Sequence, residues 1–370
     1  QLKDSPSELI VALGREGKQA LGMDAEQYPH TAAMQAKVKT PQGQAAYRKR
    51  KWIVEAPNGW IKSVLGFRQF SLRGLDKVKA EFKLGGYFRG DTGAPGRFDG
   101  NETFFSRNAF VGLSGGFGTI HLGRDGAPNF LPTALFNAFG DSFAFSPIIL
   151  HADVPLYNRS GWQSANAADT GWSNQIRYTT PSFGGLTANL HYQFGEAPGD
   201  NGKRNAGASF LYFNGRFGLG GFVHRVRTDN PLAGTLGDVK LGFSQQDAWM
   251  LSGKAGVGPV NLYANYEQTK NGNYAGDPGI AGSAGNAKSK TWSLSADYEL
   301  GQGKLLAAFA NTRWTGSASV ALAGSKRDTL SLGYDHNLSR RTDLYAVLMS
   351  DKITGFNRGN SFAVGMRHRF

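Results

Sequence analysis

The sequence contains no cysteine among its 370 residues. A disulfide framework, a zinc site built on thiolates and a cysteine nucleophile are therefore all excluded. No stretch approaches the roughly 18 consecutive apolar residues that a transmembrane helix requires, and the mean hydropathy is −0.37. These absences still allow a transmembrane β-barrel, because lipid-facing and lumen-facing side chains alternate along each strand and cancel in a hydropathy average.

The chain is basic, with a formal net charge of +13. Residues 1–82 hold 14 Lys and Arg against 8 Asp and Glu, and the other residues hold 27 against 20. The net positive charge per residue is therefore about three times as high in residues 1–82 as in the rest of the chain. This balance favours anionic partners, without choosing between nucleic acid, the phosphates of outer-membrane lipid and small anions.

The sequence pattern changes character near residue 80. Before it, helical signals dominate: residues 5–8 have the form of a helix start, and Thr40-Pro41 predicts a helix that runs to Glu55. A third helix is predicted over 60–65. After residue 83, segments of about 8–11 residues alternate apolar and polar side chains. The sequence therefore predicts two domains, a short helical segment over 1–82 and a β domain over 83–370.

About fourteen strands are recognisable in the β domain. They are predicted near 84–91, 103–113, 117–124, 174–181, 186–194, 205–214, 216–227, 246–256, 259–268, 290–300, 303–313, 327–336, 341–351 and 360–370. Short connections alternate with long ones, and 125–173 is much the longest. Because only one rim of a membrane barrel faces the outside, this asymmetry predicts an all-β fold, a transmembrane antiparallel β-barrel.

A soluble β-sandwich or propeller is the alternative fold. Aromatic residues at the strand ends favour the barrel, because they fit the girdles found at membrane interfaces. These residues are Trp292, Trp314, Tyr298, Tyr334 and Tyr345. The terminal residue, Phe370, also falls on the apolar face of its strand.

Several stretches of this domain resemble the general porins of β-proteobacteria. They are 107–113 (Arg-Asn-Ala-Phe-Val-Gly-Leu), 117–124, 178–185, 334–345 and 365–370. The resemblance covers roughly 84–370 and implies a homotrimer of 16-stranded barrels in the lipid of the outer membrane. It also implies that the assembly machinery of that membrane reads Phe370. The family's usual Thr-Leu-Tyr-Gly start has no counterpart, so either fourteen strands close a narrower barrel or two more come from the preceding region.

Residues 1–82 resemble something else, the C-terminal end of a DDE transposase from an insertion sequence. The stretches 39–43, 47–51 and 66–78 carry this resemblance. In that family the acid matching Glu55 is the third metal-binding carboxylate, and a lysine matching Lys62 contacts DNA. The family's two upstream aspartate domains are absent, which argues against transposase activity. We therefore expect a fusion joined near 72–84, with no enzymatic activity, no cofactor and no metal.

The porin resemblance implies that the third loop folds inward and narrows the lumen. The candidate is 125–160, in which Phe130, Phe136, Phe139, Phe143 and Phe145 are expected to pack the loop against the wall. Asp141 and Asp153 would supply its charge. Opposite the loop, the resemblance implies wall arginines, here Arg107, Arg124, Arg177 and, as a weaker candidate, Arg159.

A ring of fixed cations in a pore favours anions. The predicted function is therefore passive diffusion of small hydrophilic solutes and ions, with a preference for anions. The alternatives are an inactive fusion product, a substrate-specific barrel, and nonspecific DNA binding by the basic tract 48–51 with Trp52. Nucleic acid is the less favoured partner.

Overall fold

The computed structural model describes residues 78–88, 93, 105–153, 156–158, 161–163, 169–195, 204–227, 245–274, 285–316 and 326–368, with a few positions between 29 and 44. The chain divides into two compact units, Gln1–Asp76 and Lys77–Phe370. In the first unit the Gln44 N–H donates to the Thr40 carbonyl at 2.8 Å, as expected of a helix that begins there. The helices predicted at 5–8 and 60–65 lie outside the described residues, as do Glu55 and Lys62.

The second unit is built on one antiparallel sheet of fourteen strands. Its strands are β1 (Lys79–Gly85), β2 (Asn108–Gly115), β3 (Gly118–Gly126), β6 (Gly171–Thr179), β7 (Leu186–Gln193), β8 (Asn205–Asn214), β9 (Phe217–Val226), β10 (Gln245–Val257), β11 (Val260–Tyr274), β12 (Gly285–Leu300), β13 (Gly303–Gly316), β14 (Lys326–Asn337), β15 (Thr342–Ile353) and β16 (Gly359–His368). The prediction of an all-β fold with about fourteen strands is confirmed. The first strand begins at Lys79 rather than at residue 84, so the predicted boundary between 82 and 83 falls inside β1.

Each strand of the sheet pairs with the next one along the chain, apart from one long excursion. Between β3 and β6 lie two short helices, α1 (Phe130–Leu135) and α2 (Pro147–Ala152), and a small hairpin of β4 (Leu156–Asn158) with β5 (Gly161–Gln163). Among the described residues, the ladders run from β1 to β16 and no pairing joins those two end strands.

The two faces of the sheet have opposite polarity. In β12, Trp292 and Leu294 are 39% and 56% exposed, whereas Ser293 and Ser295 between them are buried. An apolar exposed face with a polar buried face is the reverse of a soluble β protein, and it is typical of a barrel with lipid outside and water inside. No helix in the described part of the chain has the length and hydropathy needed to cross a membrane.

The predicted aromatic girdle needs correction. Trp292 and Tyr298 do lie on the apolar outer face, at 39% and 41% exposure. Trp314 does not, because it is out of phase with the exposed Arg313 and is almost completely buried on the inner face. Tyr345 shares the inner face with the buried Asp343 and Val347. Side chains alternate between the two faces of a strand, so the face of an aromatic residue depends on its place in that alternation. Closeness to a strand end is therefore not sufficient to put the residue on the outer face.

The two rims of the sheet differ as the sequence predicts. Short turns such as 215–216 and 301–302 join strands at one rim, and long connections such as 127–170 and 227–244 join them at the other. Gly215 and Gly301 have φ values of 57° and 58°, a region that strains other residues and that tight hairpin turns require. In membrane barrels the long loops face the outside.

Candidate functional site

The long connection between β3 and β6 folds against the polar face of the sheet. Ile148 and Ile149 of α2 are fully buried and join Phe222 of β9 and Met250 of β10 in one apolar cluster. The loop therefore covers the few large apolar side chains on an otherwise polar surface. This apolar contact is the reason why α2 packs on the wall instead of extending into water.

Hydrogen bonds fix the same loop to further strands. Asn265 of β11 donates to the Phe136 carbonyl at 2.9 Å, and the Ala138 N–H donates to Ser295 Oγ of β12 at 3.1 Å. Arg327 of β14 donates to the Leu150 carbonyl at 2.7 Å. Because one loop touches strands from β9 to β14, the sheet must curve around it. The loop thus lies in the lumen, as the resemblance implied.

The loop helix α2 also carries a buried histidine. His151 Nδ1 lies 2.8 Å from Thr312 Oγ1, and Nε2 lies 2.7 Å from Thr329 Oγ1. Burial, with a smaller contribution from the nearby Arg327, holds the pKa of His151 well below its usual range. The imidazole is therefore neutral at ordinary pH and joins the loop to two wall strands through its two nitrogens.

Phe136 is the principal aromatic anchor of the loop. It is completely buried and stacks on Phe213, with 5.4 Å between ring centroids. Its ring also lies on Gly218 and Gly220 of β9, where a Cβ atom on Gly220 would overlap it. Of the other predicted anchors, Phe143 is 41% exposed and does not pack the loop to the wall.

On the opposite side of the loop, a cavity of about 270 Å³ lies between the loop and the wall formed by β1, β2, β3 and β6. Among the residues that the structure describes, four cationic side chains and one carboxylate, Asp125, line it. The cations are Lys83, Arg107, Arg124 and Arg177. The structure therefore brings three predicted arginines together and adds Lys83. The sequence signal for Lys83 is the alternation of Glu81 and Lys83 with the apolar Phe82 and Leu84 in β1.

Arg177 is held in a network of charged groups on the wall of this cavity. Its Nη1 lies 2.9 Å from Asp125 Oδ2, and its Nη2 lies 2.9 Å from His121 Nδ1. The other ring nitrogen of His121 lies 2.7 Å from Glu81 Oε1. Asn108 donates to the second oxygen of Asp125 at 3.0 Å. Arg177 thus has a fixed orientation, and its charge is partly neutralised.

Arg124 and Asp125 are consecutive, yet both are buried. The reason is an irregularity in the ladder between Gly123 and Asp125, which lets both side chains leave the outer face. Arg124 donates to the Ser106 carbonyl at 2.5 Å and to Ser173 Oγ at 3.0 Å, with longer contacts to the Gly171 carbonyl and to Asp169. Its guanidinium therefore fastens the ends of two long loops and has little freedom to meet a solute.

Asp153 lies inside the loop and is 6% exposed. Its carboxylate accepts from Asn129 at 2.9 Å and contacts Thr133 Oγ1 at 2.6 Å. Burial raises the pKa of Asp153 to about 7, against the lowering effect of these two bonds, and the nearby Asp169 adds to the rise. Thr133 Oγ1 also lies within 2.9 Å of two backbone carbonyls. Its single hydrogen can serve one of these acceptors, so a protonated Asp153 that donates to Thr133 satisfies the group best.

The other predicted site residues are dispersed. Asp141 is exposed and lines a second cavity, of about 910 Å³, whose wall carries Asp297, Lys304 and Arg367. Arg159 and Phe370 lie outside the described residues. The two loop acids therefore do not form one acidic surface opposite the arginines, because Asp153 is bonded within the loop and Asp141 borders a different cavity.

Two family models match the chain. Residues 58–355 match the model described as Gram-negative porin, and residues 15–86 match the model described as transposase DDE domain. Among curated proteins, the chain is 30% identical over 296 residues to outer membrane porin protein 32 of Delftia acidovorans, which covers 76% of this chain and 73% of that protein. It is 27% identical over 127 residues to major outer membrane protein P.IB of Neisseria meningitidis serogroup B, 34% of each chain.

Solved structures give the same result. The anion-selective porin from Comamonas acidovorans superposes with a TM-score of 0.61 at 25% identity, over 81% of this chain and 86% of that one. A loop-deletion mutant of OmpT from Vibrio cholerae shares the fold, with a TM-score of 0.56 at 16% identity over 79% and 86%. With a barrel of inverted polarity, an infolded loop and a family match over most of its length, the chain belongs to the Gram-negative porins of the outer membrane.

Proposed function

We propose that this protein is a general diffusion porin that favours anions and that its selectivity arises at the cation-lined cavity beside the infolded loop. The observation that carries the proposal is the lining itself, in which the described part of the chain places four cations, Lys83, Arg107, Arg124 and Arg177, and one carboxylate, Asp125. A relative of similar fold is described as an anion-selective porin, which supports the same preference here.

The four cations have different roles in this proposal. Arg107 and Lys83 are exposed, and within the described residues no carboxylate lies within 4 Å of either. They supply the free positive charge. Arg177 adds a partly neutralised charge that Asp125 holds in place. Arg124 adds positive potential from a buried position while it fastens the loops.

Transport through such a pore needs no chemical step. The positive field in a narrow lumen raises the local concentration of anions. Each guanidinium stays charged at any working pH and offers a planar set of donors that suits carboxylates and phosphates. The infolded loop limits the size of solutes, because it fills the lumen from β9 to β14. Solutes are therefore selected by size and charge.

We also infer the assembly that the porin resemblance implies, a homotrimer, with Phe370 as the signal for the outer-membrane assembly machinery. The outer face of β16 supports subunit packing, because Phe362, Val364 and Met366 are each at least 65% exposed. Chemical cross-linking of the full chain in detergent should give a trimer, and a chain that stays monomeric would contradict this part of the proposal. We further propose that the segment before β1 derives from a transposase and that the strands from Lys79 onward form the pore.

Swelling of proteoliposomes tests the pore function. The full chain is reconstituted, and the swelling rates are compared for neutral sugars of increasing size and for an anionic and a cationic solute of equal size. We expect small sugars to enter, large sugars to be excluded, and the anionic solute to enter faster than the cationic one. Vesicles that do not swell with any solute would instead indicate an inactive fusion product.

A further inference from the structure

A cluster of cations lies on the outer, lipid-facing surface of the sheet near the long-loop rim. It consists of Lys270 of β11, Lys288 and Lys290 of β12, Arg313 of β13 and Lys326 of β14, and it is called the basic patch below. All five side chains are exposed. None of them lines the pore, because each lies an even number of residues from the exposed apolar residues of its strand and therefore faces the same side of the sheet.

The sheet register places these like charges directly opposite one another. Lys270 pairs with Lys288, Lys290 pairs with Arg313, and Arg313 pairs with Lys326. Side chains in such positions have Cβ atoms about 5 Å apart, and like charges there destabilise the sheet. Three adjacent cation pairs on four strands therefore need a counter-charge.

The described residues supply little of that counter-charge. Lys326 lies 3.3 Å from Asp328. For the other four members, no carboxylate of the described residues lies within 4 Å. The nearest acid on β10, Asp247, is opposite Lys270 in the register but is bonded to Arg225 on its other side, at 2.6 Å.

Aromatic residues fix the depth of the basic patch in the membrane. Tyr266 is opposite Trp292 in the register, and Trp249 contacts Tyr266 with 5.7 Å between ring centroids. Aromatic girdles of this kind lie at the boundary between hydrocarbon and headgroups. Lys290 lies two residues beyond Trp292, towards the long loops, which is about 7 Å along the strand. The basic patch is therefore at the level of the headgroups of the outer leaflet.

We propose that the basic patch is a binding site for a multiply phosphorylated glycolipid headgroup of the outer leaflet. Arg313 can hold a phosphate with two parallel hydrogen bonds, and the flanking lysines add point charges. From β11 to β14 the patch spans three inter-strand spacings, roughly 14 Å. This width suits a headgroup with two separated phosphates better than one inorganic phosphate. The bound lipid neutralises the cation pairs and holds the barrel at a fixed depth.

Two matched variants of the full chain test the proposal. Lys290→Gln with Arg313→Gln removes two exposed charges from the basic patch. Arg340→Gln with Arg341→Gln removes two exposed charges from a turn at the opposite rim. Each protein is refolded in detergent, and the binding of purified bisphosphorylated lipid A is measured by native mass spectrometry and by the shift in unfolding temperature. We expect the parent and the turn variant to bind equally and the patch variant at least tenfold more weakly.

Further measurements distinguish an effect of charge from an effect of packing, and binding of the lipid from binding of free phosphate. Lys290→Arg, which keeps the charge, should bind as the parent does. Dephosphorylated lipid A and inorganic phosphate at equal concentration should give no shift in unfolding temperature. Equal binding of lipid A by the patch variant and the parent would overturn the proposal, and so would an equal response to inorganic phosphate. Because conductance is not measured, the outcome does not depend on the proposed anion preference.

Discussion

Arg177 of β6 and Asp125 of β3 form an ion pair, with 2.9 Å between Nη1 and Oδ2, across the wall of the cationic cavity. The pair holds one arginine in a fixed position, and it also places next to a cation the one carboxylate that lines the cavity among the described residues. The free positive charge of the lumen at this level therefore depends on the balance between Asp125 and the cations Lys83 and Arg107, which have no carboxylate within 4 Å in the part of the chain that the structure describes.

Asp125→Asn tests that balance. Removing the carboxylate charge should move the reversal potential in a salt gradient further towards the anion value, because Arg177 is then no longer neutralised. The same change weakens a buried network with His121 and Asn108, so we expect a loss of roughly 1–3 kcal/mol in the free energy of unfolding. Asp141→Asn is the control, since that exposed carboxylate borders the other cavity. If Asp125→Asn reduced anion preference, the assigned charge balance would be wrong.

Arg124 should behave differently from Arg107, although both are arginines of the same cavity. Arg124→Gln leaves buried carbonyls of Ser106 and Gly171 without their donor, so we expect destabilisation of about 3 kcal/mol. Arg107→Gln should leave stability within about 0.5 kcal/mol, because its side chain is exposed. Urea unfolding of the reconstituted barrels measures both, and equal stability losses would contradict the division of roles.

Gly220 makes room for the loop. Gly220→Ala places a Cβ against the ring of Phe136, so the loop should shift from the wall at a cost of about 1–3 kcal/mol. Single-channel conductance should then change, with more frequent closures or a wider open state. Gly253→Ala is the matched control on the neighbouring strand, because among the described residues its Cβ would meet only Leu219, at 3.9 Å. Identical conductance traces for the two variants would show that Phe136 does not anchor the loop.

The raised pKa of Asp153 makes the folding stability depend on pH in a definite direction. Its pKa is about 7 in the folded loop, against 3.8 for the ordinary carboxyl group, because of burial. Between those values the unfolded chain loses its proton first, so folding stability falls as the pH rises from about 4 to 7 and is level above 7. The largest loss in the free energy of unfolding from this group, reached above pH 7, is about 4 kcal/mol.

Heat-induced unfolding of the parent and of Asp153→Asn across pH 4–8 measures this effect. The amide is neutral at every pH and keeps a carbonyl acceptor for Asn129, so the difference in stability between the two proteins reports the Asp153 contribution together with its coupling to the buried Glu267. We expect that difference to grow from pH 4 to 7 in favour of the variant. A constant difference would mean that Asp153 titrates in the same range folded and unfolded.

Much of the fold follows from the sequence. Period-two alternation around Trp292 and the glycine turns at Gly215 and Gly301 give the strands and the short rim, since both signals are local. The length of the strands does not follow from the sequence. β11 continues to Tyr274 and β12 begins at Gly285, in Gly- and Asn-rich sequence, because pairing between them extends the ladder beyond the apolar pattern.

The site could be predicted only in part. The clustering of Arg107, Arg124 and Arg177 follows from the family resemblance, but their roles depend on contacts distant in the sequence. Arg124 meets Ser173, 49 residues away, and no local pattern encodes that contact. The burial of Asp153 likewise depends on the packing of α1 against α2, and the inward turn of both Arg124 and Asp125 depends on an irregularity in β3.

The central claim, that exposed cations of the cavity make this pore prefer anions, is tested most directly by the reversal potential of the full chain in a planar bilayer with a tenfold KCl gradient. The parent should show a potential on the anion side, and Lys83→Gln with Arg107→Gln should move it at least halfway to zero. Arg340→Gln, which removes an exposed charge outside the cavity, should leave the potential unchanged. A parent without anion preference, or a preference that survives loss of both cations, would contradict the account.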